Sequence, residues 1–271
     1  MIKNITSGLC ALSLAVIATA IAPSAEAQTI NLSLNGNTSY DKWETAALTA
    51  NANNKPGEPN FPGFGNAAAW PRTIASNLGG DAELDKVDGT GNPASGSIYF
   101  GGTGSIPNDP KGTLVVRDNT PLANLKTVVF QLQIGEATGY DLYDDPVNGA
   151  DPVLYYTTGG NRIALEGPAF SFTLINQVDN GIFEAPTGPE PLYLNTWAFQ
   201  WDLSGVTTPI TLLEIEFTGV EHAQLYSLQL DQSDFAYQNN VAAIPEPSTW
   251  SLLFVVGVGT VVLLRRKPRL A

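Results

Sequence analysis

Through the C-terminal half of the chain, apolar residues recur at every second position. Val128, Phe130, Leu132 and Ile134 alternate with Val129, Gln131 and Gln133, and Phe170, Phe172 and Leu174 with Ser171 and Thr173. Trp197, Phe199, Trp201 and Leu203 alternate with Thr196, Ala198, Gln200 and Asp202. The same rhythm sets Leu213, Ile215 and Phe217 against Glu214 and Glu216, and Tyr226, Leu228 and Leu230 against Ser227, Gln229 and Asp231. Successive side chains of a pleated backbone leave opposite faces, so a period of two predicts a strand with one buried and one wet face. Adding residues 114–117 and 153–157 predicts at least seven strands in this half.

The N-terminal half has a different texture. Residues 35–110 are crowded with turn formers, among them Asn53-Asn54-Lys55-Pro56-Gly57, Phe61-Pro62-Gly63-Phe64-Gly65, Gly79-Gly80 and Gly101-Gly102. Short strands are predicted at residues 30–34 and 97–100, and a brief helix at 43–52. So many strands, with so little helix, must bury their apolar faces against a second sheet. The predicted fold class is all-β: a jelly-roll-like antiparallel β-sandwich with long Gly/Asn/Pro-rich loops. No repeat period is visible, which disfavours a propeller or solenoid.

Two longer apolar runs break the strand rhythm, one at each end. Lys3 precedes an apolar stretch over residues 9–22, and Ala25-Glu26-Ala27 supplies a small-x-small cleavage site. Residues 1–27 therefore read as a signal peptide, with the mature chain starting at Gln28. The only cysteine, Cys10, follows Leu9 near the start of that run, whereas a lipobox cysteine ends one, so Cys10 is expected to leave with the leader. At the other end, residues 248–264 form 17 consecutive uncharged positions followed by Arg265, Arg266, Lys267 and Arg269. At ~1.5 Å per residue the run reaches roughly 26 Å, the lower limit for a transmembrane helix. Trp250 and the arginines can anchor its two boundaries, and the basic cluster places the tail in the cytoplasm with the rest outside.

Pro245-Glu246-Pro247 stands immediately before that span. Two prolines fix φ and extend their neighbours, giving a stiff, accessible peptide at the membrane surface. The order of tripeptide, span and basic end over residues 245–271 resembles the PEP-CTERM sorting tail of bacterial surface proteins. That resemblance implies recognition by an exosortase-type membrane transpeptidase, removal of the tail, and delivery to the cell surface or exopolysaccharide matrix. The domain plan is a signal peptide (1–27), an extracytoplasmic β domain (28–244, with 238–244 as linker) and the sorting tail. The body also resembles jelly-roll domains attached to such tails in environmental bacteria.

Charge narrows the partners. Residues 28–244 carry 24 acidic and 8 basic side chains, a net charge near −16. Phosphate backbones and anionic lipid surfaces would be repelled, so nucleic acid is excluded as a partner. With no cysteine left after maturation, neither disulfides nor thiolate metal sites are available, and an apolar core must hold the domain together.

Candidate chemistry within the body is sparse. His222 is the single histidine, no Gly-x-Ser-x-Gly elbow accompanies it, and it is expected to open a strand as a surface or hydrogen-bonded side chain. Glu214 and Glu216 share one strand face about 7 Å apart. They resemble in part the Glu-x-Asp-x-Glu strand of some jelly-roll glycanases, but Thr218 stands where a third acid would be needed. The alternative is a solvated strand face. Asp141, Asp144, Asp145 and Asp151 surround a Pro-Val-Asn-Gly turn and are the candidate calcium ligands; Asp81, Glu83, Asp85 and Asp88 form a second acidic stretch. Trp70, beside Pro71 in a loop, is the candidate sugar-stacking residue, with Tyr140 and Tyr143 next, whereas Trp197 and Trp201 share the core face of their strand. The expected function is that of a non-enzymatic exported surface or matrix protein, held transiently in the inner membrane by its C-terminal helix. A carbohydrate (exopolysaccharide)-binding module is the alternative, and a glycan-cleaving enzyme a further one.

Overall fold

The computed structural model describes residues 29–49, 73–101, 110–137, 151–165, 170–185 and 188–236. The signal-cleavage residues Ala25 and Ala27 lie outside these, as do Trp70, Tyr140, Tyr143, Asp141, Asp144 and Asp145. So do Pro245, Glu246, Pro247, Arg265, Arg266, Lys267 and Arg269. Among the described residues no helix is long and apolar enough to cross a membrane.

The chain is all-β. In the N-terminal half, β1 (Thr38–Trp43) leads into a single turn of helix, α1 (Thr45–Leu48), and five strands follow: β2 (Ile74–Ala75), β3 (Leu78–Gly79), β4 (Glu83–Gly89), β5 (Asn92–Pro93) and β6 (Ile98–Tyr99). Next come β7 (Pro110–Asp118), β8 (Thr127–Ala137), β9 (Val153–Thr158), β10 (Asn161–Ala164) and β11 (Phe170–Ala185). The last three are β12 (Gly188–Asp202), β13 (Leu212–Val220) and β14 (Gln224–Ser233). All seven strands expected in the C-terminal half are present, and the 97–100 segment supplies β6. The predicted helix at 43–52 shrinks to α1, because Trp43 ends β1 and donates its indole N–H to Ile74 O (2.9 Å).

Two antiparallel sheets result. The larger runs β11-β12-β8-β14-β1-β3, with β6 added beside β14 and β5 beside β6. The smaller runs β10-β9-β13-β7-β4-β2. Their inner faces meet in one core. Phe130, Leu132, Phe199, Trp201, Leu228 and Leu230 from the larger sheet pack on Leu84, Leu114, Val116, Ile215 and Phe217 from the smaller. The Phe130 and Phe217 rings touch across the interface with centroids 5.3 Å apart. Each such side chain contributes about 1.5–3 kcal/mol by leaving water, so the alternation read along the sequence is the main source of stability.

The opposite faces depart from expectation. The polar partners on the larger sheet are not wet: Gln131, Gln229, Gln133 and Asp231 are all buried. Part of the cover is the segment at residues 29–30, which was expected to begin a strand. Its alternation is real, with Ile30, Leu32 and Leu34 half-buried, but the backbone of Ile30 bonds a side chain instead of another strand. Ile30 N–H donates to Gln131 Oε1 (2.8 Å), and Gln131 Nε2 donates back to Ile30 O (2.8 Å). A primary amide carries the same donor and acceptor as a peptide, so it can take the place of a ladder partner. Beside it, Thr29 Oγ1 donates to Gln229 Oε1 (2.9 Å).

Candidate functional site

The described structure contains a cavity of about 370 Å³ at one end of the larger sheet. Its walls come from four strands and a turn: Tyr99 on β6, Gly135 on β8, Leu192 on β12, Gln224 and Tyr226 on β14, and His222 just before β14. Ser95 and Ser97 close one side.

Two local irregularities build this site. Ala223 N–H donates to Val220 O (3.1 Å), so residues 220–223 form a tight turn with His222 at its third position. His222 adopts φ of +66°, a conformation that glycine takes without cost and a side chain takes at about 1–2 kcal/mol. It therefore does not open a strand, as expected, but caps the β13–β14 connection and points into the cavity wall. The turn is pinned to the residues after β6, with His222 N–H donating to Gly101 O (3.2 Å) and Phe100 N–H to Ala223 O (3.0 Å).

The second irregularity is a register shift between Leu225 and Ser227 where β14 pairs with β8. Strict alternation would put Tyr226 beside Leu228 and Leu230 in the core. The bulge turns it to the other face instead, where it lies against Gly135. A Cβ at Gly135 would stand 3.0 Å from Tyr226 Cε2 and 3.2 Å from Leu194 Cδ2, so the glycine makes room for the edge of the ring. Sequence reasoning missed Tyr99, Gln224 and Tyr226. A histidine between two strand patterns, at a spacing suited only to a tight turn, was the one available hint.

The polar groups are partly paired and partly spare. Tyr99 Oη and His222 Nδ1 are 2.8 Å apart, their rings tilted at 33° with centroids at 6.4 Å. Tyr226 Oη donates to Gln224 Oε1 (2.8 Å), leaving the Gln224 amide nitrogen for another acceptor. Burial pushes both phenols above the usual tyrosine range, Tyr99 further helped by the negative charge of Glu221. Both therefore stay protonated at neutral pH. Glu221 is fully buried, with Oε1 4.0 Å from His222 Nε2. Among the described residues no lysine or arginine lines the cavity.

The carboxylate pair read from the sequence is found elsewhere, on the outer face of the smaller sheet, with each member held by arginine. Glu214 accepts from Arg117 Nε (2.9 Å) and Arg162 Nε (2.6 Å), and Glu216 from Arg162 (2.5 Å). Arg117 also pairs with Asp85, and the Arg162 guanidinium lies 3.5 Å from the centroid of the Tyr155 ring. Burial alone would raise the Glu214 pKa, but the hydrogen bonds and charges of Arg162 and Arg117 outweigh it and hold the group below the usual carboxylate range. A glycosidic general acid needs the opposite shift.

Of the expected calcium ligands only Asp151 is described, and it is exposed. The second acidic stretch does not converge on a point: Asp81 accepts from Thr120 Oγ1 (2.7 Å), Asp88 from Thr113 N (3.1 Å), and Asp85 faces Arg117. Among the described residues no group of three or more histidine, cysteine, aspartate or glutamate side chains is placed to hold a metal. Trp197 and Trp201 lie in the core, as their strand face predicts.

No protein-family model, no curated protein and no solved structure matches the chain.

Proposed function

We propose that the chain is a non-enzymatic exported surface protein, with a jelly-roll-like sandwich as its cargo domain and residues 245–271 as the tail by which an exosortase-type enzyme sorts it. The observation that carries this reading is the order of tripeptide, uncharged run and basic end over residues 245–271. Thr29, two residues past Ala27, is buried and donates to Gln229, so cleavage after Ala27 would keep that contact. Successive strands that pass from one sheet to the other, β7 to β8 and β12 to β13 to β14, support the jelly-roll description. The arginine-bound state of Glu214 favours a structural role over glycan cleavage.

A fusion of residues 244–271 to an exported reporter tests the tail in a host that carries the sorting enzyme. The wild-type fusion is expected to be shortened and released from the inner membrane. The variant with Pro245→Ala and Pro247→Ala should stay full length and membrane-bound. Equal processing of the two would remove the sorting motif from the account.

A second reading, carbohydrate binding by the sandwich, is favoured by the cavity between Tyr99 and Tyr226. Its dimensions fall at the lower end of small-molecule sites, and its walls combine aromatic faces with a few spare polar groups.

A further inference from the structure

We propose that this cavity binds a neutral, hydroxyl-rich sugar unit, one or two rings of a glycan, with Tyr226 and Tyr99 as its ring platform and Gln224 and His222 as its polar contacts. The inference rests on the carbohydrate-binding reading and assigns it a place and a ligand class. It does not depend on how the tail is processed.

Three observations converge. The first is shape. Gly135 contributes wall without a side chain, and the Tyr226 ring approaches it through Cε2, so an aromatic side chain lines a concave site instead of standing on a convex loop. Flat C–H faces of sugar rings pack on such rings, with the aromatic's electron-rich face meeting weakly positive hydrogens.

Hydrogen-bonding chemistry is the second. Tyr99, Gln224, His222, Ser95 and Ser97 mix donors and acceptors, which suits hydroxyl groups that themselves both donate and accept. The row of residues next along the same strands is polar as well. Thr196 on β12, Gln133 on β8 and Ser227 on β14 are register partners across three adjacent strands. Thr196 Oγ1, Gln133 Nε2 and Ser227 Oγ are buried and have no hydrogen-bond partner among the described residues. They lie about 7 Å, two strand positions, from the row of Leu194, Gly135 and Gln224. A buried polar atom left unpaired costs about 1–3 kcal/mol; these three are closed to solvent and are not among the described residues that line the cavity.

Charge is the third, and it selects among glycans. Among the described residues no lysine or arginine lines the cavity, Glu221 is buried next to His222, and the body carries a large excess of acidic residues. A uronic acid or sulfated sugar would bring its negative charge into a site without a counter-charge, so neutral sugars are preferred. The strained backbone at His222 fits this role. Glycine would relax the turn, but only a side chain there can hold the Tyr99 hydroxyl in place.

The test uses the exported protein recovered from its producing cells. Saturation-transfer NMR and calorimetry would be run with the methyl glycosides of glucose, galactose and mannose, with cellobiose and maltose, and with glucuronate and galacturonate. At least one neutral sugar is expected to bind with Kd of roughly 0.1–1 mM, and neither uronate to show transfer. Tyr226→Ala and Gln224→Ala should each weaken binding about tenfold or more while the circular dichroism spectrum is kept. If Tyr226→Ala unfolds, Tyr226→Phe and Gln224→Ala, which disturb only half-exposed groups, carry the comparison. Absence of transfer from every neutral sugar at ~10 mM, binding that survives the pocket variants, or uronates binding as well as neutral sugars would each overturn the proposal. A defect in tail sorting appears only as a change in chain mass and leaves these titrations readable.

Discussion

The ring of Phe100 lies flat over Gly219: a Cβ built on that glycine would stand within 2.5 Å of three ring carbons. The contact joins the two sheets, since Phe100 follows β6 of the larger and Gly219 belongs to β13 of the smaller. Phe100 is fully buried, and a Cβ built on Gly91 would also stand 3.1 Å from its ring. The ring therefore has little room to retreat. Gly219→Ala is expected to cost about 1–3 kcal/mol through overpacking and to lower Tm by several degrees, read by thermal denaturation. Because Tyr99 precedes Phe100, the same change should also disturb the cavity wall.

Asp231 makes stability depend on pH in an unusual direction. Burial pushes its pKa up to about 6, against the lowering effect of hydrogen bonds from Gln229 and Gln131 and of the nearby Lys42 charge. The unfolded value is about 3.9. Between those two values the folded state holds more protons than the unfolded one. This carboxyl therefore stabilises less as pH rises from about 4 to 6, and the loss is complete above that. Its size is on the order of 3 kcal/mol. Asp231→Asn should remove this component. Denaturant midpoints at pH 4 and pH 7 should show the variant gaining on the wild type at the higher pH, and an unchanged difference between the two would refute the assignment.

Glu214 acts in the opposite sense. Its folded pKa is lowered, so its contribution is present above the unfolded value of about 4.3 and disappears as pH falls through the folded value. Arg117 and Arg162 are 37% and 43% exposed, so solvent screens the network. Glu214→Gln leaves Arg117 with Asp85 and Arg162 with Glu216, and should cost only about 0.5–1 kcal/mol. That cost should shrink in ~0.5 M salt. Chemical denaturation at low and high salt checks both statements.

His222→Gly separates backbone strain from side-chain function. The turn gains a residue suited to φ of +66°, while the bond to Tyr99 is lost. Relief and loss are each about 1 kcal/mol, so Tm should move little. The environment of Tyr99 should change clearly in near-ultraviolet circular dichroism. A large drop in Tm with an unchanged aromatic spectrum would show that the Tyr99–His222 contact does not organise the site.

The C-terminal strands were legible because their alternation is enforced by the core: a slip by one residue in β8 would exchange Phe130 and Leu132 for Gln131 and Gln133. The outer face was not. A glutamine exposed to water and one clasped by the backbone of Ile30 are identical letters, and only the long-range contact distinguishes them. Tyr226 was misassigned because a bulge shifts alternation by one position without any residue to announce it. The cavity escaped for the same reason, since its walls come from strands separated by more than a hundred residues. Glu214 and Glu216 were correctly placed on one face, but the arginines between them come from β7 and β10, which the local pattern could not bring together.

Exported, doubly trimmed chain is the central claim, and the intact mass of the protein recovered from the envelope or medium of a host carrying the sorting enzyme tests it most directly. The account predicts a species that begins at Gln28 and lacks the C-terminal apolar run and its basic end. Recovery of the complete 271-residue chain with its leader in place, or of a mature chain that keeps the apolar run and its arginines, would contradict it.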